Sequence, residues 1–309
     1  MTYREVSLDV ALFKSNPCLF LERVIKDYVA TSPINRLVEF NDAPIFDEPI
    51  VAFANGDDPI FQDFKKIIDE FHLTPREVLE KHIQGKQWNY GLKDHLKNVS
   101  VISYALPIPL ETRDVERNAP YGGSRRKNNF RWMGEVFWKN LEHYVASLLE
   151  IMGHDAVAPG RSPFFQRKEL ADGARVNWSE RHIAYAAGLG TFGLNGLLIT
   201  SKGCAHFVES IVCDLALTPT PRPYDNHVAY CPFFKDRSCR KCIERCVAGA
   251  ISEQGRDILL CRHHLGHKQR VKLKELGLDK DFIGRAPTCG LCMTNVPCED
   301  RIPQPGASS

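Results

Sequence analysis

Cys239-Arg-Lys-Cys242-Ile-Glu-Arg-Cys246, followed by Val-Ala-Gly-Ala-Ile251, is the stretch on which the reading of this chain turns. Two cysteines two residues apart place both sulfurs on one metal cluster, because the short loop curls round it. A cysteine three residues further on sits where a helix starts, and in two-cluster ferredoxins it reaches the other cluster. Cys231 stands before this run, and Cys261, Cys289-Gly-Leu-Cys292 and Cys298 stand after it. Eight of the eleven cysteines therefore fall between Cys231 and Cys298. A four-iron cubane takes four thiolates, so the set suffices for two. The crossing rule predicts a partition: Cys231, Cys239, Cys242 and Cys298 on one cluster, and Cys246, Cys261, Cys289 and Cys292 on the other.

The run departs from the bacterial ferredoxin pattern in three places. Asp236 stands three residues before Cys239, where another cysteine is usual, so Cys231 must reach in over a longer loop. Val247 replaces the proline that follows the last cysteine of that pattern, and Val296 occupies the expected cysteine position after Cys292, with Cys298 two residues later. The competing reading is a zinc site built from Cys239, Cys242, Cys289 and Cys292. It leaves four neighbouring cysteines without a role, and the gap between the pairs is long for a zinc ribbon. Cys18, Cys204 and Cys213 read as ordinary buried thiols.

Outward from the cysteines, Leu217-Thr-Pro-Thr-Pro-Arg-Pro-Tyr224 is proline-dense and reads as a linker from an α/β body. Val99–Leu106 reads as a buried strand stopped by Pro107 and Pro109, and Phe130–Met152 as a long amphipathic helix ended by Gly153. Leu197–Thr200 and His206–Cys213 read as two strands of a hairpin turning at Ser201-Lys-Gly203. Residues 1–90 read mostly as helix: Leu19, Phe20, Val24, Ile25 and Tyr28 recur at helical spacing, as do Phe61, Phe64, Ile67, Ile68 and Phe71. Thr74-Pro75-Arg76-Glu77 is a capping box that opens a helix. The expected organisation is a helical region over 1–94, an α/β cofactor-binding body over 95–216 and an iron–sulfur module over 225–302. The fold class expected is α+β.

At 309 residues, 43% hydrophobic and 25% charged, with a net charge of +2, the chain has the composition of a folded soluble protein. Neither nucleic acid nor a membrane surface is demanded by charge. No apolar stretch approaches the roughly 20 residues a membrane helix needs, and no leader is legible in the first residues, so the expected compartment is cytoplasmic. Cysteine-rich chains of this kind are metal binders more often than disulfide scaffolds.

A second stretch carries chemistry. In Ala187-Gly-Leu-Gly-Thr-Phe-Gly-Leu-Asn-Gly-Leu-Leu-Ile199 the glycines follow a helix-like segment and lead into a strand. A dinucleotide loop has the reverse order, strand first and helix after. On these residues alone a tight helix-to-strand turn is the favoured reading. Taken with the cysteines, however, this stretch resembles the glycine-rich segment of epoxyqueuosine reductases. Cys239, Cys242, Cys246, Gly249-Ala-Ile251, Cys261, Cys289 and Cys292 resemble that family's cluster ligands in the same order. The resemblance covers roughly residues 95–298 and extends distantly to reductive dehalogenases.

That resemblance implies a nitroreductase-like body holding a base-off cobalamin and a ferredoxin-like module holding two 4Fe–4S clusters, the clusters feeding electrons to a corrinoid that reduces a substrate. It carries over Gly188, Gly190, Thr191, Phe192, Gly193, Asn195 and Gly196 as cobalamin contacts. Its partners would be a low-potential electron donor such as ferredoxin or flavodoxin, and tRNA. One position departs from the family: counting without gaps, the proton-donating aspartate falls on Ala174, with Asp172 near but out of register. Asp172, Glu180, Tyr185 and Tyr121 are the remaining acid candidates, none with a geometry that sequence supplies. Arg125-Arg-Lys127, after Tyr121-Gly-Gly123, reads as a solvated basic loop, with a hold on an anionic group as the alternative. The basic run Arg262–Lys274 reads as a solvated helix face or a dock for an acidic donor. Two other functions stay open here: an electron carrier or corrinoid-reducing activator with no organic substrate, and a zinc-stabilised RNA-binding protein.

Overall fold

The computed structural model describes residues 9–86, 96–171, 173–284 and 288–304. Its centre is an antiparallel sheet of four strands in the order β1-β2-β8-β3: β1 (Ile50–Asn55), β2 (Ser100–Pro107), β8 (His206–Cys213) and β3 (Ala156–Val157). All eight residues of β2 are buried, as a central strand covered on both faces requires. Ile102, Tyr104 and Leu106 point to one apolar layer, and Val101 and Ala105 to the other, the alternation a strand imposes.

The first layer is α2 (Pro17–Thr31) behind the short α1 (Val10–Ser15), together with α6 (Arg125–Ile151). The second layer is α3 (Ile60–Ile67), α4 (Pro75–Gln84) and α7 (Glu180–Ala186). Helices cover both faces of the sheet, so the body is a mixed helix-and-sheet sandwich. α4 opens on Thr74 with both hydrogen bonds of the capping box present. The helical stripes pack as their spacing predicts: Phe20, Val24, Ile25, Phe61 and Phe64 are buried, whereas Ile67 is exposed. Among the described residues no helix is long and apolar enough to cross a membrane.

Three expectations need correction. The region expected to be helical contains β1, which pairs with β2 from Ile50↔Ala105 to Asn55↔Ser100; its Ala52-Phe53-Ala54 core was masked by two small residues. The hairpin at 201–203 does not form. Thr200 and Gly203 close a turn with reciprocal bonds of 2.9 Å, but the next donors, Cys204 N and Ala205 N, are taken by the carbonyls of Cys298 (2.7 Å) and Glu299 (3.0 Å). β7 (Leu198–Thr200) pairs instead with β6 (Gly190–Phe192), while β8 joins the main sheet. The proline-dense segment is no free spacer: Leu217 is buried, and Thr220 exchanges two bonds with the backbone of Phe53 at the open edge of β1.

A small hairpin, β4 (Arg167–Leu170) with β5 (Gly173–Val176), precedes α7. Ala174 lies on it opposite Glu169, and Asp172 lies outside the described residues. α5 (Leu110–Arg117) leads into α6. The C-terminal region is made of short pieces, α8 (Pro232–Asp236), α9 (Lys241–Glu244) and the two-residue strands β9 (Ile251–Ser252) and β10 (Gly255–Arg256), followed by α10 (Ile258–His263), which continues through the π turn His264–Lys268 into α11 (Gln269–Glu275). Its apolar cluster mixes Phe233, Ile251 and Val296 with cysteines and with Leu194, Leu197 and Ile199 of the body.

Candidate metal centre

The cysteines fall into two groups in space. Cys231, Cys239, Cys242 and Cys298 line one small cavity, walled also by Gly193, Asn195 and Phe233. Cys231 caps the N-terminus of α8, and Cys242 lies within α9. Burial pushes the Cys242 thiol up, and Cys298, Cys231 and Cys239 add to the shift as near neighbours.

In the second group Cys292 has Cys261 and Cys246 as electrostatic neighbours, and Cys289 has Cys292 and Cys261. Burial raises Cys289 to about 12 and Cys292 to about 11. Two donors already aim at sulfur here: Arg256 Nη2 lies 2.9 Å from Cys261 Sγ, and the Ala250 N–H lies 3.3 Å from Cys246 Sγ. Such donors stabilise thiolate charge. All eleven cysteines are free thiols. Eight buried or half-buried thiols in two convergent sets are a soft donor set, suited to iron–sulfur clusters or zinc.

Several residues around the sulfurs were missed by sequence reasoning. Cys204, read as an ordinary buried thiol, has its Sγ 3.7 Å from Cys298 Sγ and 3.9 Å from Asn195 Nδ2. Arg125-Arg-Lys127 is no solvated loop but the first turn of α6, with Lys127 buried, and Tyr121-Gly-Gly123 before it is a packing surface: a Cβ on Gly122 would overlap Cys289 Sγ, and φ there is +69°, a combination only glycine accepts. Glu116, fully buried, accepts from the N–H groups of Gly123 (2.9 Å), Ser124 (2.9 Å) and Gly290 (2.7 Å), joining the start of α6 to the loop that carries Cys289. Lys127 lies beside Glu116, Cys289 and Cys292, and burial lowers it to about 8. The signal was present in the Gly-Gly pair, but its partner lies more than 160 positions away in sequence.

The glycine run forms β6, a turn and β7. Gly190 is demanded by the chain itself, since a Cβ there would overlap the Ile199 carbonyl across the hairpin; the Cβ position of Gly188 meets the Pro221 carbonyl at 2.8 Å. Thr191 Oγ1 accepts from Tyr230 N at 2.9 Å, and Asn195 Nδ2 donates to the Cys292 carbonyl at 2.7 Å. The run thus docks the cysteine region onto the body. Phe192 is partly exposed against His182 and Tyr185, and Gly193–Gly196 is the hairpin's turn, closed by Gly196 N to the Gly193 carbonyl at 2.8 Å. Arg181 has Arg256 and Cys292 as electrostatic neighbours. His206, lowered to about 4 by burial, bonds the Leu198 carbonyl through Nε2 and leaves Nδ1 without a partner.

Of the acid candidates, Tyr185 stacks on Tyr224 and accepts that phenol on its carbonyl at 2.5 Å. Tyr121 holds φ +61° and offers its carbonyl to Gln269 at 3.2 Å. Glu180 accepts from Ser210 Oγ at 2.6 Å, which in turn accepts from Trp178 Nε1 at 3.0 Å. Burial raises Glu180 to about 8.

No family model matches the chain. Over 74 residues it is 42% identical to the tetrachloroethene reductive dehalogenase of Desulfitobacterium hafniense, and equally to that of Dehalobacter restrictus (strain DSM 9455 / PER-K23). The match takes in 23% of this chain and only 12% of the length of those relatives. Among solved structures, the epoxyqueuosine reductase from Bacillus subtilis aligns over 84% of this chain and 66% of its own, at 16% identity and a TM-score of 0.40. A catabolic reductive dehalogenase aligns over 83% of this chain and 30% of its own, at 14% identity and a TM-score of 0.47. These are the two families that the cysteine and glycine motifs resemble.

Proposed function

We propose that the chain is an oxidoreductase: an iron–sulfur, corrinoid-dependent reductase resembling epoxyqueuosine reductase and reductive dehalogenases. The observation that carries the reading is the gathering of eight thiols, scattered over 68 positions from Cys231 to Cys298, into two sets of four. Zinc fits less well, because one four-coordinate ion leaves the second set of four thiols without a ligand role.

The donor chemistry of both sets fits 4Fe–4S clusters. Cys231, Cys239, Cys242 and Cys298 would hold one, and Cys246, Cys261, Cys289 and Cys292 the other. When bound, the clusters supply one-electron transfer and a corrinoid supplies a strongly reducing cobalt centre. The chain's own groups set the charge around the second set: Arg256 donates to Cys261, Ala250 N–H to Cys246, and Lys127 brings a buried ammonium beside Cys289 and Cys292. Hydrogen bonds and positive charge at sulfur raise a cluster's potential.

Toward a corrinoid, the residues that fit are Arg181 and Arg256, which border Cys292, and His206, which neighbours Arg181 and has an unpartnered buried nitrogen. From the glycine run the turn Gly193–Gly196 and the ring of Phe192 would contribute. Gly188 and Gly190 face the chain's own carbonyls. The electron donor would be a small low-potential protein such as ferredoxin or flavodoxin, and tRNA is a candidate substrate carrier.

The test is anaerobic purification with iron and acid-labile sulfide analysis, followed by titration with cob(II)alamin. Two clusters' worth of iron and sulfide, with a base-off cobalt spin-resonance spectrum, is the expected result. Zinc without sulfide would overturn the reading entirely. Clusters without corrinoid uptake would leave an electron carrier.

A further inference from the structure

Away from the sulfurs, on the body, three carboxylates meet at the edge of the sheet. Glu142 comes from the middle of α6, Glu180 from the start of α7 and Glu209 from β8. One oxygen from each lies within 4.8 Å of the other two. Glu142 is 0% exposed and Glu209 6%. β3 pairs with β8 only at Val212 and Cys213, so the sheet is open beside Glu209, and Arg161 fills part of that edge. Its Nε lies 2.9 Å from Glu142 and its Nη2 3.9 Å from Glu209.

Charge and hydrogen bonding are only partly met at this point. Fully ionised, three carboxylates facing one guanidinium would leave a formal excess of two negative charges in a buried place; with no cation there, burial raises the pKa of each and Glu142 and Glu209 share a hydrogen bond. Two further polar atoms lack any partner: Glu180 Oε1 and the Tyr104 hydroxyl. Tyr104 is an independent witness. It sits directly opposite Glu209 in the β2–β8 ladder and therefore on the same face of the sheet. It is 0% exposed, and its hydroxyl lies in the field of all three carboxylates. A fully buried phenol without a hydrogen bond is exceptional in a folded protein.

We propose that Glu142, Glu180 and Glu209 bind one hard divalent cation, of the Mg2+ or Mn2+ class, with the Tyr104 hydroxyl completing its oxygen shell. One such ion cancels the formal excess. It also gives a partner to each orphaned atom. An all-oxygen donor set with no sulfur or imidazole selects hard ions against zinc or copper. Three carboxylates and a phenol, with water in the remaining positions, suit octahedral coordination. Glu180 is the most exposed of the three residues, and Gly160 puts no side chain over it, a Cβ there standing 3.4 Å from Glu180 Oε1. The site owes nothing to the cysteines or to a corrinoid, so it stands whether or not the proposed reductase activity does.

The experiment is a Mn2+ titration of the anaerobic, cluster-loaded protein, following the six-line spin-resonance signal of free Mn2+, with metal analysis after desalting. One tightly held Mn2+ per chain, displaced by excess Mg2+, is expected. Glu142→Gln and Glu209→Gln, which each remove a charged ligand, are expected to weaken it more than about 100-fold, and Tyr104→Phe, which loses one neutral ligand that water can replace, about 10-fold. The proposal is overturned if wild-type protein leaves the free-ion signal undiminished through one equivalent. That result would mean the three carboxylates share protons and water instead. It is overturned equally if folded Gln variants bind as wild type does. The wild-type stoichiometry decides the matter even if a variant does not fold.

Discussion

The α/β body and the cysteine module follow opposite plans. The body rests on long elements: an eight-residue strand buried throughout and a 27-residue helix with twelve buried positions. From Cys231 to Cys298 the strands have two residues and the helices are one-turn pieces, apart from a single helix that runs from Ile258 through the π turn His264–Lys268 to Glu275. Helices shorter than about 12–15 residues are marginal on their own, and the module's apolar cluster is completed by leucines and isoleucine of the body. Apolar burial holds the first region together, whereas on the proposed reading the second is held by metal–ligand bonds and its docking surface. On that reading the module's metal affinity and folding free energy are one quantity.

The largest expected effect tests that contrast directly. Cys242→Ala and Cys292→Ala should each lose the iron of one set and open the module to limited proteolysis between residues 231 and 298, while the body stays intact. A protected, iron-free module would break the contrast. Next in size is the joint between the regions. Glu299, 4% exposed, receives Arg113 Nη1 at 2.6 Å and Arg117 Nη2 at 2.8 Å, and accepts Asn295 N at 2.6 Å. Glu299→Ala leaves the buried Arg113 with the Ile108 carbonyl at 2.9 Å and, as its ion-pair partner, Asp300 at 3.3 Å. Removing one member of a buried pair costs about 3–5 kcal/mol, so the melting temperature should fall and cluster iron should be lost faster on heating. A change confined to the body's melting, with iron retained, would show that Glu299 does not join the two.

Local signals in the sequence were legible because their causes are local. The capping box at Thr74, the α6 periodicity and the two-residue cysteine spacing are each complete within a few positions. What escaped notice depends on distant partners. β1 is short, with alanines flanking Phe53, and only its pairing with β2 defines it. The hairpin at 201–203 fails because Cys298 and Glu299, nearly a hundred residues on, claim its hydrogen-bond donors. Gly122 announces nothing until Cys289 is seen against it. Nothing local marks Glu142 and Glu209, whose meeting with Glu180 depends on the packing of α6, α7 and β8.

A smaller effect separates the regions by pH. His72 is fully buried, accepts from Ser179 N on Nε2 at 3.1 Å, and is lowered from 6.5 to about 4 chiefly by burial, with Lys65 adding to it. The folded state keeps it neutral while the unfolded chain takes up a proton below 6.5. The unfolded state therefore binds more protons between 6.5 and about 4, and stability falls as pH drops through that window, by about 1.4 kcal/mol per unit. Carboxylates with raised pKa pull the other way, and they cancel when wild type is compared with His72→Gln. The variant should show the flatter acid limb in thermal melts of the body. Parallel limbs would mean His72 is charged in the fold.

The smallest effect is the most discriminating, because it touches the body alone. Thr74 Oγ1 accepts from Glu77 N at 3.3 Å, and Glu77 Oε2 accepts from Thr74 N at 2.8 Å while also meeting Lys65 Nζ at 2.9 Å. Thr74→Ala removes one arm of that box at a cost of about 1 kcal/mol. Amide exchange should quicken in the first turn of α4, where Val78 and Leu79 are core residues, and cluster iron should be unchanged. If so small a loss in α4 sheds iron from the cysteines, the two regions fold as one cooperative unit, and the division into an apolar body and a metal-held module is wrong.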